Sequence, residues 1–592
     1  MPEMVHNFNK NTKEKQNLKK TDSASSKNRT TPLKNTSEGL QAQSFRIKLP
    51  HLWIFLAIMI VYGSSIQFGL THLDDKIFIL ENSVYNKDMH NILHSFHRGV
   101  FSEENDTYYR PILLISYILE YPLHAQNPQG YHLVNLLLHI ACCFLILKLL
   151  QQLLKNHLQA FFLTMIFAVH PVLSQAVVWI PGRNDTLLML FLASFFISYL
   201  QFIETKKPLY YILQLLFLGL ALFTKESALA APIMAVMITV YVLKKGWQIK
   251  NHLFLFAGWI PTFALWYFLR HASTLHAGQH SIHSYWNAFI YHLPVLVQYI
   301  GKIFFPFNLS VFAMQEDTVY VYGLAAILLF IGITVLAKNK NIHIIIFGAC
   351  WFAAFMLPAL FVPKGLNDQV FEHRLYIPIL GIFLMLSQSV LFLNRFKEKT
   401  MLFGVMALVF LLGIGSHSHA KLFKDEITFW ESATETSPHS SYAAMLLGVK
   451  YYFKDRKADA EKMIKKSYAL NPRERYTNHY MGKLLLEKDS FVAAEKYFKK
   501  ETEISDFNES WFELAHIAFI KNDLKGAEKA LSKAALLMQS DPTIHSNLLL
   551  LYIDLKEYEK AEIQLKRMKT NGLPIPAGAE ERLKKEKNLK SV

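Results

Sequence analysis

The chain has 592 residues, of which 52% are hydrophobic and 18% charged. That is more than one typical domain and too apolar for a purely soluble chain, so much of it is expected to lie in a membrane. The net charge of +16 gathers near the start, in short loops and in the C-terminal third, with no arginine-rich stripe. This argues against nucleic acid as a partner and fits membrane orientation. Cys142, Cys143 and Cys350 all fall in apolar runs, with neither zinc spacing nor a disulfide framework.

Residues 1–50 hold ten Lys/Arg against four Asp/Glu and almost no apolar clusters. They read as a disordered basic cytoplasmic tail, too long and polar for a cleaved signal peptide. Apolar runs long enough to span hydrocarbon follow at 51–70, 131–150, 158–178, 186–203, 210–224, 227–243, 251–270, 321–337, 342–360, 376–393 and 400–416, which makes about eleven. The segments 111–122 and 287–305 are read as interfacial or re-entrant helices on the outer face. With the tail inside, every inner loop carries at least two Lys or Arg: Lys148 and Lys155; Lys206 and Lys207; Lys244, Lys245 and Lys250; Lys338 and Lys340; Arg395, Lys397 and Lys399. The outer loop 271–320 has only Lys302. This asymmetry sets the orientation and puts the C-terminus outside.

The transmembrane domain is therefore 51–416, with an outer loop at 71–130. Beyond about residue 425 the composition becomes that of soluble helices. "AEKMI" at 460, "AEKYF" at 494, "AEKAL" at 527 and "AEIQL" at 561 recur at intervals of 34, 33 and 34. Gly448, Gly482, Ala515 and Leu549 keep step ahead of them, and Pro472 and Pro542 close two units. The period resembles that of tetratricopeptide (TPR) repeats, about four helical hairpins stacked over 425–570. A charged tail, 571–592, follows. The whole is all-α, a polytopic helical bundle followed by an α-solenoid.

The charged residues near the span ends carry the chemistry. Asp74 and Asp75 follow the first span, and "TYYRPILL" places Arg110 in the same loop. "HPVLSQAVVWIPGRNDTL" brings His170, Arg183 and Asp185; "LALFTKESALAAP" sets Lys225 and Glu226 between two apolar runs; "FEHRLYIP" brings Glu372, His373 and Arg374. A lone acidic pair reads as a cap or a solvated loop. Charges near or inside a bilayer, however, cost a few kcal/mol each and default to paired or functional roles. A carboxylate can take the proton of an acceptor hydroxyl, and Arg or Lys can hold a departing phosphate. A lipid-linked sugar phosphate needs both, in a single displacement with inversion.

The ordered set of the acidic pair, "YYRP", "GYHLVNLLLH", "HPVLSQAVVWIPGRND", "LALFTKESA", "FPFNLSV" and "EHRLYIP", ahead of TPR-like repeats, resembles the transmembrane-and-TPR O-mannosyltransferases and their bacterial relatives. That resemblance implies a GT-C glycosyltransferase fold. It also implies transfer of a mannose-like sugar from a polyprenyl- or dolichyl-phosphate carrier to Ser or Thr of an acceptor protein, on the extracytoplasmic face. It makes Asp74 or Asp75 the base and leaves open which. Arg110, Arg183, Asp185, Lys225, Glu226, His373 and Arg374 become donor-phosphate or supporting groups.

His72, Asp74 and Asp75 could ligate a divalent ion, but a lipid-phosphate leaving group needs none, so no obligatory cofactor is expected. Expected partners are the bilayer, the lipid-linked donor and an acceptor protein recruited by the repeats. Short loops and a Lys/Ile/Asn/Phe-rich chain lean towards a bacterial inner membrane with periplasmic repeats, with an endoplasmic-reticulum membrane and lumenal repeats as the alternative. A non-catalytic scaffold, or transfer to lipid-linked glycans or envelope polymers, are the competing readings.

Overall fold

A computed structural model describes residues 47–101, 106–244, 249–274, 281–363, 369–393 and 398–590. The expected tail, 1–50, lies almost wholly outside the described residues. Among those described there is no strand, only an isolated bridge between Met314 and Gln369, so the fold is all-α.

Among the described residues six helices are long and apolar enough to cross a membrane: Pro50–Gln67, Pro128–Leu154, Ile180–Thr205, Leu253–Ser273, Ile342–Leu360 and Thr400–Phe423. A seventh span arises if His157–Ala168 and Pro171–Val178, bent by 56°, are taken together. The chain is thus built as a multi-pass membrane protein, and the expected count of eleven is not confirmed. Four further apolar helices are shorter, Pro208–Thr224, Glu226–Val242, Val295–Phe304 and Val321–Val335. The run 376–393 is split into Ile379–Leu386 and Val390–Leu393. The physical reason is local: "SQS" at 387–389 turns the chain, with the Ser387 hydroxyl donating to the Leu384 carbonyl (2.6 Å). The interfacial segment 287–305 likewise divides, into Ile282–His292 and Val295–Phe304, where Pro294 interrupts the helix.

Helix breaks, rather than helices, build the site. Pro171 ends the run from 157, and His170 caps the break: Val172 N–H donates to its Nδ1 (3.3 Å), and its Nε2 donates to the Ile303 carbonyl (2.9 Å). The turn Ile180–Gly182 then opens the helix Arg183–Thr205 with Asp185 in its first turn, where the helix dipole favours a carboxylate. Helix Pro208–Thr224 stops at an extended Lys225, and a short turn, Glu226–Ala230, follows.

From Glu426 onward helices alternate in pairs: Ser441–Phe453 with Lys457–Leu470, Thr477–Leu486 with Phe491–Ile504, Asn508–Ile520 with Leu524–Leu537, and Pro542–Asp554 with Tyr558–Thr570. The repeat glycines allow close approach within a pair. A Cβ at Gly448 would stand 2.6 Å from Ile464, and one at Gly482 would stand 2.6 Å from Phe498. The segment expected as a charged tail contains a further helix, Ala579–Lys590, resting on the last pair through buried Leu583.

The solenoid is rooted on the membrane bundle. The Trp430 indole donates to the Thr71 carbonyl (3.0 Å), and Gly69 N–H donates to the Lys424 carbonyl (2.8 Å). Glu426 pairs with His72 (2.8 Å) and with Lys450 (2.9 Å). On the other side Ser437 donates to the Phe312 carbonyl (2.7 Å).

Candidate active site

The two aspartates of the first loop have different environments. Both Asp75 oxygens are taken. One accepts from the Thr71 N–H (2.6 Å) and hydroxyl (2.9 Å), the other from the N–H groups of Leu73 (3.1 Å) and Lys76 (2.9 Å). Asp75 is buried and caps the helical turn Lys76–Glu81. Its carboxylate closes the loop on itself. Asp74 makes no hydrogen bond or ion pair among the described residues, and it lines a cavity of about 420 Å³. Burial, then the like charge of Asp75, push its carboxyl up to about 7, against the pull of Arg110. Burial also raises Asp75, opposed first by the Thr71 N–H.

The same cavity gathers Arg110, Asp185, Lys225, Glu226, His373 and Arg374, six of the residues singled out by sequence. Lys225 Nζ is 2.7 Å from Asp185, and Arg110 Nη2 is 3.3 Å from Glu226. Asn184 ties these breaks together: with its amide oriented to suit its neighbours it donates to the Thr224 carbonyl (3.0 Å) and accepts from Arg110 Nη1 (3.1 Å). Asp185 Oδ2 is buried without a hydrogen bond and faces His373 Nε2 at 3.9 Å. Arg374 lines the cavity with its guanidinium 5.9 Å from the Phe371 ring, and no carboxylate pairs with it among the described residues.

His373 is set by Gln175, whose Oε1 accepts from the N–H groups of Glu372 (3.0 Å) and His373 (3.1 Å) and from His373 Nδ1 (3.2 Å). Burial first, then Lys225, Arg374 and Arg110, hold the imidazole well below its usual range. That favours the neutral imidazole, in which Nδ1 donating to Gln175 Oε1 leaves Nε2 as the acceptor. Glu372, fully buried, anchors the turn from behind through Lys302 (2.8 Å), the Ser310 N–H (2.8 Å) and His419 (3.4 Å).

Besides Asp75, a second expected member stands outside the cavity lining. Arg183 does not line the cavity. Its guanidinium, 0% exposed, reaches Glu120 (2.5 Å), Asn135 Oδ1 (2.9 Å) and the Tyr131 carbonyl (2.9 Å), with the Tyr117 ring 4.7 Å away. It locks the turn that presents its neighbours Asn184 and Asp185. Sequence reasoning missed Tyr108, Asn184, Gln369 and Tyr442, all of which line the cavity. "GRND" already held Asn184, but nothing local marks Tyr442, which arrives from the solenoid.

Every positive group lining the cavity comes from the membrane bundle, and Asp74, a carboxylate with no hydrogen-bond or ion-pair partner among the described residues, stands among them. That is the composition an anionic substrate with an adjacent hydroxyl nucleophile requires.

No family model matches the chain. Among curated proteins it is 31% identical over 198 residues to protein O-mannosyl-transferase Tmtc3 of Drosophila melanogaster, covering 29% of this chain and 21% of that one. It is 32% identical over 152 residues to protein O-mannosyl-transferase F38B6.6 of Caenorhabditis elegans, covering 24% and 21%. It is 31% identical over 146 residues to human TMTC3, covering 23% and 15%. The chain is similar to the transmembrane-and-TPR O-mannosyltransferases. The chain spans about a fifth or less of the length of these relatives. A solved structure, the APC/C hetero-tetramer Cut9-Hcn1, aligns over 80% of this chain and 92% of that one at 14% identity, but its TM-score of 0.24 is too low to establish a shared fold.

Proposed function

We propose that the chain is a membrane glycosyltransferase of GT-C type. It moves a mannose-like sugar from a polyprenyl- or dolichyl-phosphate carrier to Ser or Thr hydroxyls of acceptor proteins, on the extracytoplasmic face and with inversion. The acceptor oxygen bonds to the anomeric carbon as the bond from that carbon to the phosphate oxygen breaks. The hydroxyl proton passes to Asp74, and the carrier phosphate leaves with the bonding electrons. Arg374, with Arg110 and Lys225 beside it, holds the negative charge that grows on the phosphate. Asp185 and Glu226 keep those cations in place, and His373 accepts a hydrogen bond from the substrate side. The lipid tail lies along the membrane bundle.

The observation that carries this reading is the meeting, in one cavity, of Asp74, without a hydrogen-bond or ion-pair partner among the described residues, and Arg374, which no carboxylate pairs with among them; burial and the charge of Asp75 push the Asp74 carboxyl up to about 7. A general base works best near the operating pH. The similarity to proteins named O-mannosyl-transferases supports mannose and a protein acceptor. The lean towards a bacterial inner membrane, with the repeats periplasmic, stands as part of the proposal.

The test is reconstitution of the purified full chain in bilayers with a labelled polyprenyl-phosphate mannose and a Ser/Thr-rich polypeptide. Label should appear in the polypeptide as an alkali-labile O-linked sugar. Absence of transfer from polyprenyl- and dolichyl-phosphate sugars alike, by protein that still binds partners through its repeats, would leave the scaffold reading. Transfer to lipid-linked glycan alone would move the acceptor to the envelope.

A further inference from the structure

The cavity has one wall that the membrane bundle does not supply. Tyr442, the second residue of solenoid helix Ser441–Phe453, lines it together with Phe312, Phe371 and Trp179. The Tyr442 ring stacks on Phe312 (5.8 Å, 27°) and meets Trp430 edge-on (5.9 Å). Phe312 in turn packs on Phe371 (5.8 Å), and Phe371 stacks on Trp179 (5.8 Å). The result is a continuous aromatic face beginning in the solenoid. Unlike its neighbours in that face, Tyr442 remains 37% exposed.

One of the contacts that root the solenoid ties it directly to the base loop. Trp430, against which Tyr442 rests, donates to the Thr71 carbonyl. Thr71 in turn donates twice to Asp75, next to Asp74. Tyr442 and Asp74 therefore share an anchor, and a shift of the solenoid root would move both. The cations, Arg110, Lys225 and Arg374, all come from the membrane side.

We propose that Tyr442 is a specificity-determining residue that contacts the acceptor polypeptide. Its exposed ring takes an apolar or aromatic side chain flanking the acceptor Ser or Thr, and so seats the hydroxyl on Asp74. This rests on the glycosyltransferase reading. The phosphate-holding groups belong to the bundle, the exposed ring to the element that extends away from it, and the base stands where the two meet. Aromatic rings provide area and a defined face at low conformational cost.

The experiment uses the full chain in bilayers, polyprenyl-phosphate mannose, and a set of Ser/Thr peptides varied at the residues flanking the hydroxyl. Tyr442→Ala should raise the acceptor KM by about tenfold, the size of one aromatic contact. It should also flatten the preference for apolar or aromatic flanks, while the donor KM stays within about twofold. Tyr442→Phe should restore both, because the ring and not the hydroxyl is used. Tyr442→Leu guards against a packing defect by keeping apolar volume, and it should still lose the flank preference. An unchanged acceptor KM and preference in all three active variants overturns the proposal. So does a rise in donor KM instead, which would assign the aromatic face to the sugar. If wild type transfers nothing to any peptide, the underlying glycosyltransferase reading falls, and this one with it.

Discussion

Ion pairs occur in both halves of the molecule, and they mean different things. In the solenoid, Lys457–Glu487, Lys488–Glu461 and Lys560–Glu528 join neighbouring repeats across 2.6–2.8 Å, with side chains substantially exposed. In the bundle, Arg183–Glu120, Lys225–Asp185 and Lys302–Glu372 are nearly or wholly buried. Exposed pairs gain about 0–1 kcal/mol each. Buried charges cost several kcal/mol to desolvate and persist only when hydrogen bonds satisfy them. The solenoid's charges therefore lace a surface that apolar packing already holds together. Those of the bundle are held against a standing electrostatic cost, which chemistry at the cavity would justify.

The sharpest way to break that comparison is at the aspartates. Asp74→Asn should lower turnover by about 10²–10⁴-fold, the range for loss of a general base, with the protein still folded. In the proposed mechanism Asp74 acts as carboxylate, so transfer should fall as pH drops through about 7, following one proton. Stability runs the other way. A folded-state value above the ordinary 3.8 means that ionisation is disfavoured in the folded protein. Stability is then lost as pH rises from about 4 to about 7. At pH 8 Asp74→Asn should therefore melt higher than wild type, and at pH 4 the two should coincide. Asp75→Asn should do the opposite, lowering Tm at pH 8, because its amide presents a donor towards N–H groups that need acceptors. Equal kinetic losses with equal melting curves would show that the loop does not distinguish the pair.

Next in size is the anchor behind the site. Lys302→Ala leaves Glu372 with only His419 and the Ser310 N–H. Breaking one partner of a buried pair costs about 3–5 kcal/mol, so a large fall in Tm is expected. Lys302→Met keeps the volume but not the charge, and should fail almost as badly. If Lys302→Met melts like wild type, the pair is not what holds the 372–375 turn.

Arg374→Ala should cost about 10²-fold in turnover or donor affinity, the order found when one preorganised donor to a developing charge is removed. Its melting temperature should barely move, since no ion pair holds it among the described residues. Arg183→Lys is the control that separates two arginines of like appearance. It should lower Tm, because an ammonium cannot span Glu120, Asn135 and the Tyr131 carbonyl at once, and it should leave donor KM unchanged in the folded fraction. A rise in donor KM for Arg183→Lys would return Arg183 to the phosphate site.

Much of this was legible in the chain, for reasons of range. The repeats were, because a 34-residue period is stated in full by the residues themselves. So was the clustering of Arg110, Asp185, Lys225, Glu226, His373 and Arg374, since charges at apolar boundaries are rare and expensive. The count of eleven spans is not confirmed: the runs 210–224 and 227–243 form the helices Pro208–Thr224 and Glu226–Val242, at least as long as the runs themselves, yet these stand among the shorter apolar helices. Nor could sequence separate Asp74 from Asp75, because the distinction lies in which way a turn directs Thr71 towards one of them. Arg183 depended on Glu120 and Asn135, 63 and 48 residues away. Tyr442 depended on a contact between two domains.

The smallest expected effect is the control for the whole contrast. Lys488→Ala removes a 2.8 Å pair with Glu461 from the solenoid surface, where Lys488 is 55% exposed. The change in stability should be no more than about 0.5 kcal/mol, and should fade further in high salt. Neighbouring repeat helices are held instead by contacts such as Gly482 against the Phe498 ring. A side chain at Gly482 must displace that ring, so Gly482→Val should cost about 1–3 kcal/mol with no salt dependence. If Lys488→Ala proved as damaging as Lys302→Ala, exposed lacing would be holding the solenoid upright. Burial would then no longer mark out the charges at the cavity.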